Sequence, residues 1–246
     1  MKSLRLTPFE RLLNDHVAPA APGYLVGKRA LMRIDRGLAK CVYFGPSAYS
    51  KGSCSMHAVV SALCEPESHV YLSHEVRSLS GLPRVEVGDD VRGATRENAG
   101  VREILKRLPV FTRSLDRIHG ARGMLHDPDM WWGVSELHAE CTRAYLRCWL
   151  GEHAKATRHI ERVRSVMRWL KTADGPPNAP PPVTAADALS SALQAGPDSV
   201  RQLLLRNARE NLRGLKLDEG LVTVDGRGER YTFFERAHMV WRWIER

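Results

Sequence analysis

Three polar residues near the middle of the chain are the first candidates for chemistry. His119, His126 and Asp127 carry the side-chain types that bind hydrolytic metal ions. Asp127 directly precedes Pro128, however, and an acidic residue before a proline is typical of the start of a helix. A helix cap is therefore the simpler interpretation, with a metal-dependent hydrolase as an alternative. We expect no bound metal and no other cofactor.

A second set of potential ligands falls on one face of a predicted helix. His138, Cys141 and Cys148 follow one another at spacings of three and seven. Zinc needs ligand atoms about 2.0–2.3 Å from one centre, whereas seven residues span roughly 10 Å along a helix axis. One ion cannot bind all three, so the pattern favours a packed core stripe. Motifs of the GxSxG, HExxH, Walker and GxGxxG types do not occur in the sequence, which favours a protein without catalytic activity.

Residues 155–171 have the periodicity of an amphipathic helix with one strongly basic face. On a helical wheel, Trp169 lies between Arg158 and Arg162, opposite the apolar stripe. Arginine and tryptophan are the residues that most often dominate protein interfaces, and arginine pairs well with carboxylates. We therefore predict that these three residues bind an acidic protein partner. Two alternatives are nucleic-acid binding by stacking, and a solvated face whose Trp169 folds onto the neighbouring linker.

The charge distribution supports a binding role for the middle of the chain. The formal net charge is +9. Residues 101–173 carry 14 Lys and Arg against 8 Asp and Glu, whereas residues 174–246 carry 10 of each. An acidic partner should therefore meet the middle segment.

Composition restricts the class of protein. A chain of 246 residues with 43% hydrophobic and 26% charged residues is typical of a globular protein with a sizeable core. The sequence has no apolar run of about 18 residues, so we expect no membrane insertion. Five cysteines without a CxxC spacing favour reduced thiols, and Thr7–Glu10 interrupts any signal peptide. We expect a cytoplasmic bacterial protein.

The first hundred residues predict an antiparallel sheet behind a short helix. Thr7, Pro8 and Glu10 form a capping-box pattern, which predicts a helix over residues 8–18. A tight hairpin is expected at Asp35–Gly37. A later helix should be broken at Pro109. The expected strands are Ala30–Ile34, Leu38–Phe44, Cys54–Leu63 and His69–Val76.

The second half predicts helices on either side of a proline-rich stretch. A helical hairpin should turn at Leu150–Gly151, and five prolines within 174–184 predict a linker. Further helices are expected at Ala185–Gln194 and Asp198–Arg213, followed by a small β-hairpin and a closing helix. We predict four parts: an α+β domain at 1–118, a basic helical hairpin packed on it at 119–173, a linker at 174–184, and a helical, winged-helix-like module at 185–246.

The winged-helix pattern suggests an alternative function. A helix followed by the Asp225–Gly228 turn could place the helix in a DNA groove and the hairpin against the backbone. The segment carries no net positive charge, although phosphate contacts need cations. A structural or dimerising module is therefore favoured over a nucleic-acid-binding regulator.

Positions 5–115 contain a set of features in the order Pro8–Phe9, Leu12–Leu13, Pro19, Gly23–Tyr24, Lys28–Arg29, Arg33, Gly37, Val42–Phe44, Ser47 and Tyr49–Ser50. With these features the segment resembles an uncharacterised bacterial domain family that occurs, among other places, near toxin–immunity loci. The resemblance implies a small α+β domain and supplies no catalytic residues.

Together these observations predict an α+β protein with an N-terminal antiparallel sheet, flanking helices, a helical hairpin and a C-terminal helical module. The expected function is that of a non-enzymatic cytoplasmic binding protein of immunity or accessory type, which engages an acidic protein partner. The alternatives are a nucleic-acid-binding regulator and a metal-dependent hydrolase. The sequence leaves the oligomeric state open.

Overall fold

The computed structural model describes residues 7–46, 52–66, 74–76, 79, 82–88, 93–172 and 181–222. It shows a mixed α+β fold with an N-terminal antiparallel sheet, as the sequence predicts. The strands are β1 (Leu25–Gly27), β2 (Ala30–Asp35), β3 (Leu38–Pro46), β4 (Ser53–Ala62), β5 (His74–Glu75) and β6 (Val85–Glu86). The α-helices are α1 (Pro8–Leu12), α2 (Ala99–Asp116), α3 (Gly120–His126), α4 (Glu136–Trp149), α5 (His153–Thr172), α6 (Pro181–Ala195) and α7 (Pro197–Gly214).

The first helix begins as its capping box predicts. The Thr7 hydroxyl accepts a hydrogen bond from the Glu10 amide at 3.2 Å, and the Glu10 carboxylate accepts one from the Thr7 amide at 2.7 Å. The helix is shorter than expected, because α1 ends at Leu12 and a wider π-helical turn follows over Leu13–Val17. Both segments bury their apolar side chains, so both contribute to the core although the helix type changes between them.

The sheet is antiparallel throughout and has the order β1-β2-β3-β4-β5. The short strand β6 pairs with the start of β4, at Ser53 and Cys54, while β5 pairs near the middle of β4, at Val59 and Val60. The central pair β3 and β4 aligns from Leu38 opposite Ala62 to Pro46 opposite Cys54. The long β4 strand therefore carries both short edge strands.

The turn between β2 and β3 confirms the expected hairpin. Asp35 pairs with Leu38, and the two residues between them have φ angles of 46° for Arg36 and 81° for Gly37. Two consecutive residues in the left-handed region are the pattern of a tight hairpin turn. A Cβ added at Gly37 would lie 2.4 Å from the Trp149 ring at the end of α4, so the turn packs closely on that helix.

Both faces of the sheet are covered, by two different groups of elements. One face joins α1, α2 and α4 in the main core, with Phe44 and Leu108 fully buried. The other face, including Met32 and Cys41, packs under Ala208 and Leu212 of α7. Side chains alternate between the two faces along each strand, so neighbouring residues lie in opposite cores.

The predicted break at Pro109 is wrong. Helix α2 continues through Pro109 from Ala99 to Asp116. The proline is on the exposed side, while Ile104, Leu108 and Phe111 remain on the buried stripe. Packing of that stripe on both sides of the proline maintains the helix despite the missing amide hydrogen bond.

In the helical half, α4 and α5 follow one another across a short turn. This turn contains Gly151 at a φ of 73°. The Tyr145 hydroxyl on α4 donates a hydrogen bond to the Ala185 carbonyl of α6 at 2.9 Å. The Asn211 amide on α7 donates to the carbonyls of Leu63 and Glu65 at 2.8 Å and 2.7 Å, next to the end of β4. Both later helices thus have direct polar contacts with earlier elements.

The linker, the β-hairpin and the closing helix fall wholly or mostly outside the described residues. Of the linker stretch, only 181–184 is described, and these four residues form the first turn of α6. The first hairpin strand is predicted from Leu221, but Leu221 ends a short 3-10 turn over Glu219–Leu221. The rest of the hairpin and the closing helix belong to 223–246, so the four-part division stays a prediction. No helix in the ranges given above combines the length and apolar character required to span a membrane.

Candidate partner-binding surface

Helix α5 carries the predicted binding residues, and its position is set by its apolar side. Ala156, Ile160 and Val163 are at most 2% exposed, and Met167 is also buried. These residues form the stripe that packs in the main core with α4, as the wheel predicts. The opposite side of α5 therefore faces solvent.

The structure brings Arg158, Arg162 and Trp169 to that solvent side. Trp169 is 70% exposed, the highest value among the large apolar residues exposed in the described ranges. The Arg162 side chain is 65% exposed, and Arg158 is exposed as well. Along a helix axis, Arg162 and Trp169 lie about 10 Å apart. We call these three residues the basic face.

A buried carboxylate beneath the basic face orients its neighbours. Glu140 on α4 is 3% exposed. Its Oε2 accepts a hydrogen bond from His159 Nδ1 at 2.7 Å and lies 3.5 Å from Arg162 Nη1. Its Oε1 accepts one from Arg143 Nη1 at 2.5 Å. Three cationic or polar donors thus converge on one carboxylate between α4 and α5.

The electrostatics of this group keep Glu140 ionised. Burial alone would raise the pKa of Glu140, but the hydrogen bonds from His159 and Arg143 outweigh it, and the pKa falls to about 2. A permanently charged Glu140 holds Arg162 by an ion pair while most of that side chain stays exposed. Arg162 is therefore partly ordered before any partner binds.

The other arginines of α5 divide into paired and unpaired groups. Arg164 donates to Asp187 Oδ1 and Ser190 Oγ of α6 at 3.0 Å and 3.1 Å, so it contributes to helix packing. Arg158 and Arg168 have no ion-pair partner among the residues that the structure describes. These two exposed cations are available to an acidic ligand.

The central His and Asp residues take structural positions. The Asp127 carboxylate accepts a hydrogen bond from the Asp129 amide at 3.1 Å, which confirms the helix-cap interpretation. His119 precedes α3 and His126 ends it. Burial, followed by the positive charges of Arg147 and Arg122, lowers the pKa of His126.

The cysteine stripe on α4 belongs to the core, as expected. Cys141 and Cys148 are at most 4% exposed and lie beside the fully buried Tyr145. Burial raises the pKa of the Cys148 thiol to about 12, which disfavours the reactive thiolate. Within the described ranges, no three His, Cys, Asp or Glu side chains are grouped as a metal site would require.

Sequence reasoning missed a buried aromatic cluster beside α4. The His74 ring lies 5.0 Å from the Trp131 ring and 5.8 Å from the His138 ring, between centroids. His74 Nδ1 donates to the Met130 carbonyl at 2.9 Å, so its Nε2 carries the lone pair. Burial lowers the pKa of His74 to about 4 and keeps it neutral. No spacing rule links His74 on β5 to residues so much later in the chain.

Sequence reasoning also missed a hydrogen-bonded series on the sheet. His57 Nε2 lies 2.7 Å from Ser55 Oγ, and His57 Nδ1 lies 2.9 Å from Glu75 Oε1. Ser55 and His57 alternate on β4, so the spacing alone places them on one face. The carboxylate comes from β5, whose register against β4 cannot be read from the sequence.

Comparison of the chain with family models, curated proteins and solved structures returns no match. The contacts above therefore carry the functional argument.

Proposed function

We propose that this chain is a cytoplasmic binding protein of immunity or accessory type, and that its basic face engages an acidic surface of a protein partner. The observation that carries the proposal is the 70% exposed Trp169 on the same side of α5 as Arg158 and Arg162. A basic face that contacts only water would gain nothing from an exposed tryptophan. A large ring among arginines is the composition of an interface hot spot.

The arrangement of charge supports a carboxylate-bearing partner. Arg162 is already held by Glu140 on one side, so less side-chain entropy is lost when its exposed side binds. The guanidinium groups of Arg158 and Arg162 can each form paired hydrogen bonds with a carboxylate. Trp169 adds apolar contact area to these polar pairs.

Nucleic acid is less well supported as the ligand. Binding along a phosphate backbone with useful affinity takes several neutralised phosphates. Arg158 and Arg168 are exposed cations without ion pairs in the described part of α5, but Arg164 is paired to α6. Residues 174–246 add no net charge that could extend the surface.

The proposal is tested by measuring binding of a fluorescent Glu-rich peptide that carries one aromatic residue, by anisotropy at physiological salt. The double variant Arg158→Ala with Arg162→Ala should weaken binding by about tenfold or more, since both lost side chains contact the ligand. The matched control is Arg206→Ala with Arg209→Ala. It removes two exposed arginines from α7 and should leave the affinity nearly unchanged.

Two results would count against the proposal. Equal losses in both double variants would mean that only overall charge attracts the peptide. The nucleic-acid alternative would be favoured if a DNA duplex bound more tightly than the peptide and if only the Arg158→Ala, Arg162→Ala variant lost that binding.

A further inference from the structure

The series on β4 and β5 has the geometry of a nucleophile, a base and an orienting acid. Ser55 Oγ, His57 and Glu75 are joined by contacts of 2.7 Å and 2.9 Å. The His57 and Glu75 side chains are 33% and 37% exposed, and Ser55 is half-buried, so part of the group faces solvent. Serine hydrolases on unrelated folds share this order of contacts, which is recognised by geometry and not by chain position.

The hydrogen bonds fix where the protons lie. An ionised Glu75 accepts only, so the neutral His57 ring must carry its proton on Nδ1. His57 Nε2 then has its lone pair directed at Ser55 Oγ, and the hydroxyl donates to it at 2.7 Å. The other acceptor near this hydroxyl, the Gly45 carbonyl, is at 3.5 Å and competes weakly. The hydroxyl proton is therefore directed to the base.

Gly45, opposite Ser55 in the sheet, lets the Ser55 hydroxyl approach β3 closely. A Cβ at Gly45 would lie 2.7 Å from Ser55 Oγ and 3.4 Å from His57 Nε2. Any other residue on β3 at this point would crowd the hydroxyl. Without a side chain at Gly45, Ser55 Oγ and His57 Nε2 keep their 2.7 Å contact.

We propose that Ser55, His57 and Glu75 form an acyl-accepting serine centre for small activated esters. Ser55 Oγ attacks the ester carbonyl while its proton passes to His57 Nε2. The alkoxide then leaves with that proton as an alcohol, and the acyl group stays on Ser55. Water, deprotonated by His57, attacks the acyl carbon, releases the carboxylic acid and returns the proton to Ser55. Glu75 holds the ring and stabilises its cationic form.

This activity is independent of the basic face on α5. Ser55 and His57 lie on the sheet surface, whereas Trp169 lies on α5. Loss of partner binding in an α5 variant should leave the serine centre intact.

The test uses a fluorophosphonate probe, which phosphonylates only activated serines, together with p-nitrophenyl acetate. The full chain should form one covalent adduct on the peptide that contains Ser55, and Ser55→Ala should abolish it. His57→Gln should slow labelling at least 100-fold, and Glu75→Gln about tenfold or more, because each removes one part of the relay. Ser165→Ala, which removes an exposed serine from α5, should label like the parent chain.

Circular dichroism of every variant checks that the fold is kept. If the parent chain forms no adduct, or if Ser55→Ala is labelled as fast as the parent, the proposal is overturned. It is also overturned if His57→Gln labels at the parent rate. Because two separate variants report on the same centre, a folding defect in one leaves the other as the test.

Discussion

His159 Nδ1 on α5 lies 2.7 Å from the Glu140 carboxylate on α4, a polar contact beside the apolar stripe that sets the position of α5. Glu140 is buried, so His159 must turn inward to reach it. With His159 fixed, Arg162 lies at the rim of the same carboxylate and Trp169 points to solvent. The basic face is therefore exposed by the packing of the apolar stripe, and Glu140 orders Arg162 within it.

Removing the charge of Glu140 should make the free energy of unfolding less dependent on pH. The pKa of Glu140 is about 2 in the folded chain and about 4.3 when unfolded. Its contribution of roughly 2–3 kcal/mol is complete above about pH 5 and is lost as the pH falls toward 2. Glu140→Gln should unfold more easily at pH 7 and lose less between pH 5 and 2, as urea titrations would show. Glu136→Gln, an exposed change on the same helix, should behave like the parent chain.

The ion pair between buried Lys40 and partly exposed Asp35 should respond unequally to removal of each partner. Lys40 is fully buried, and burial lowers its pKa although Asp35 opposes the shift. Asp35→Asn leaves a buried ammonium group without its carboxylate and should cost about 3–5 kcal/mol of unfolding free energy. Lys40→Met removes the buried charge and leaves Asp35, whose side chain is 24% exposed to water, so stability should change by about 1 kcal/mol or less. Chemical denaturation measures both changes, and similar losses of unfolding free energy in Asp35→Asn and Lys40→Met would contradict this account.

The contact of the β2–β3 turn with α4 can be isolated with two glycines. Gly37→Ala places a Cβ 2.4 Å from Trp149 at a φ of 81°, so both strain and overlap should destabilise the fold. Gly88→Ala has a φ of 92° and meets nothing within 4 Å, so it carries the backbone strain alone. We expect a loss of about 1–2 kcal/mol for Gly88→Ala and about 1–3 kcal/mol more for Gly37→Ala. Equal melting temperatures for the two variants would show that the contact with Trp149 adds nothing to the loss of stability at Gly37.

Local patterns in the sequence were enough to predict much of this fold. The Thr7 capping box, the hairpin at Gly37 and the stripe of Ile160 each depend on neighbours within one element. The uninterrupted α2 could not be predicted in this way, because the packing that carries the helix through Pro109 involves the distant sheet.

The two candidate sites also differ in how far neighbouring residues in the sequence predict them. Helical spacing alone placed Trp169 and Arg162 on one side of α5. The partner of His57 could not be predicted, because Glu75 reaches it only through the pairing of β5 with β4. The donors to Glu140 were likewise hidden, since they combine residues of two helices.

Proteolysis tests the predicted linker and the packing of α6 and α7 together. A broad-specificity protease should cut first between 174 and 180, as the proline-rich sequence of this stretch predicts. The two fragments should nevertheless elute together in gel filtration, because Asn211 and Tyr145 join the later helices to the earlier elements. First cleavage inside the sheet, or separation of the fragments without denaturant, would be inconsistent with this arrangement.

The most direct test of the binding account is the single substitution Trp169→Ala, measured both by urea unfolding and by affinity for the acidic peptide. Because Trp169 is 70% exposed, the free energy of unfolding should change by no more than about 0.5 kcal/mol. Affinity should fall by about 2 kcal/mol or more if the ring is an interface anchor. Unchanged affinity, or a loss of stability above about 2 kcal/mol, would contradict the assignment of Trp169 to a partner-binding surface.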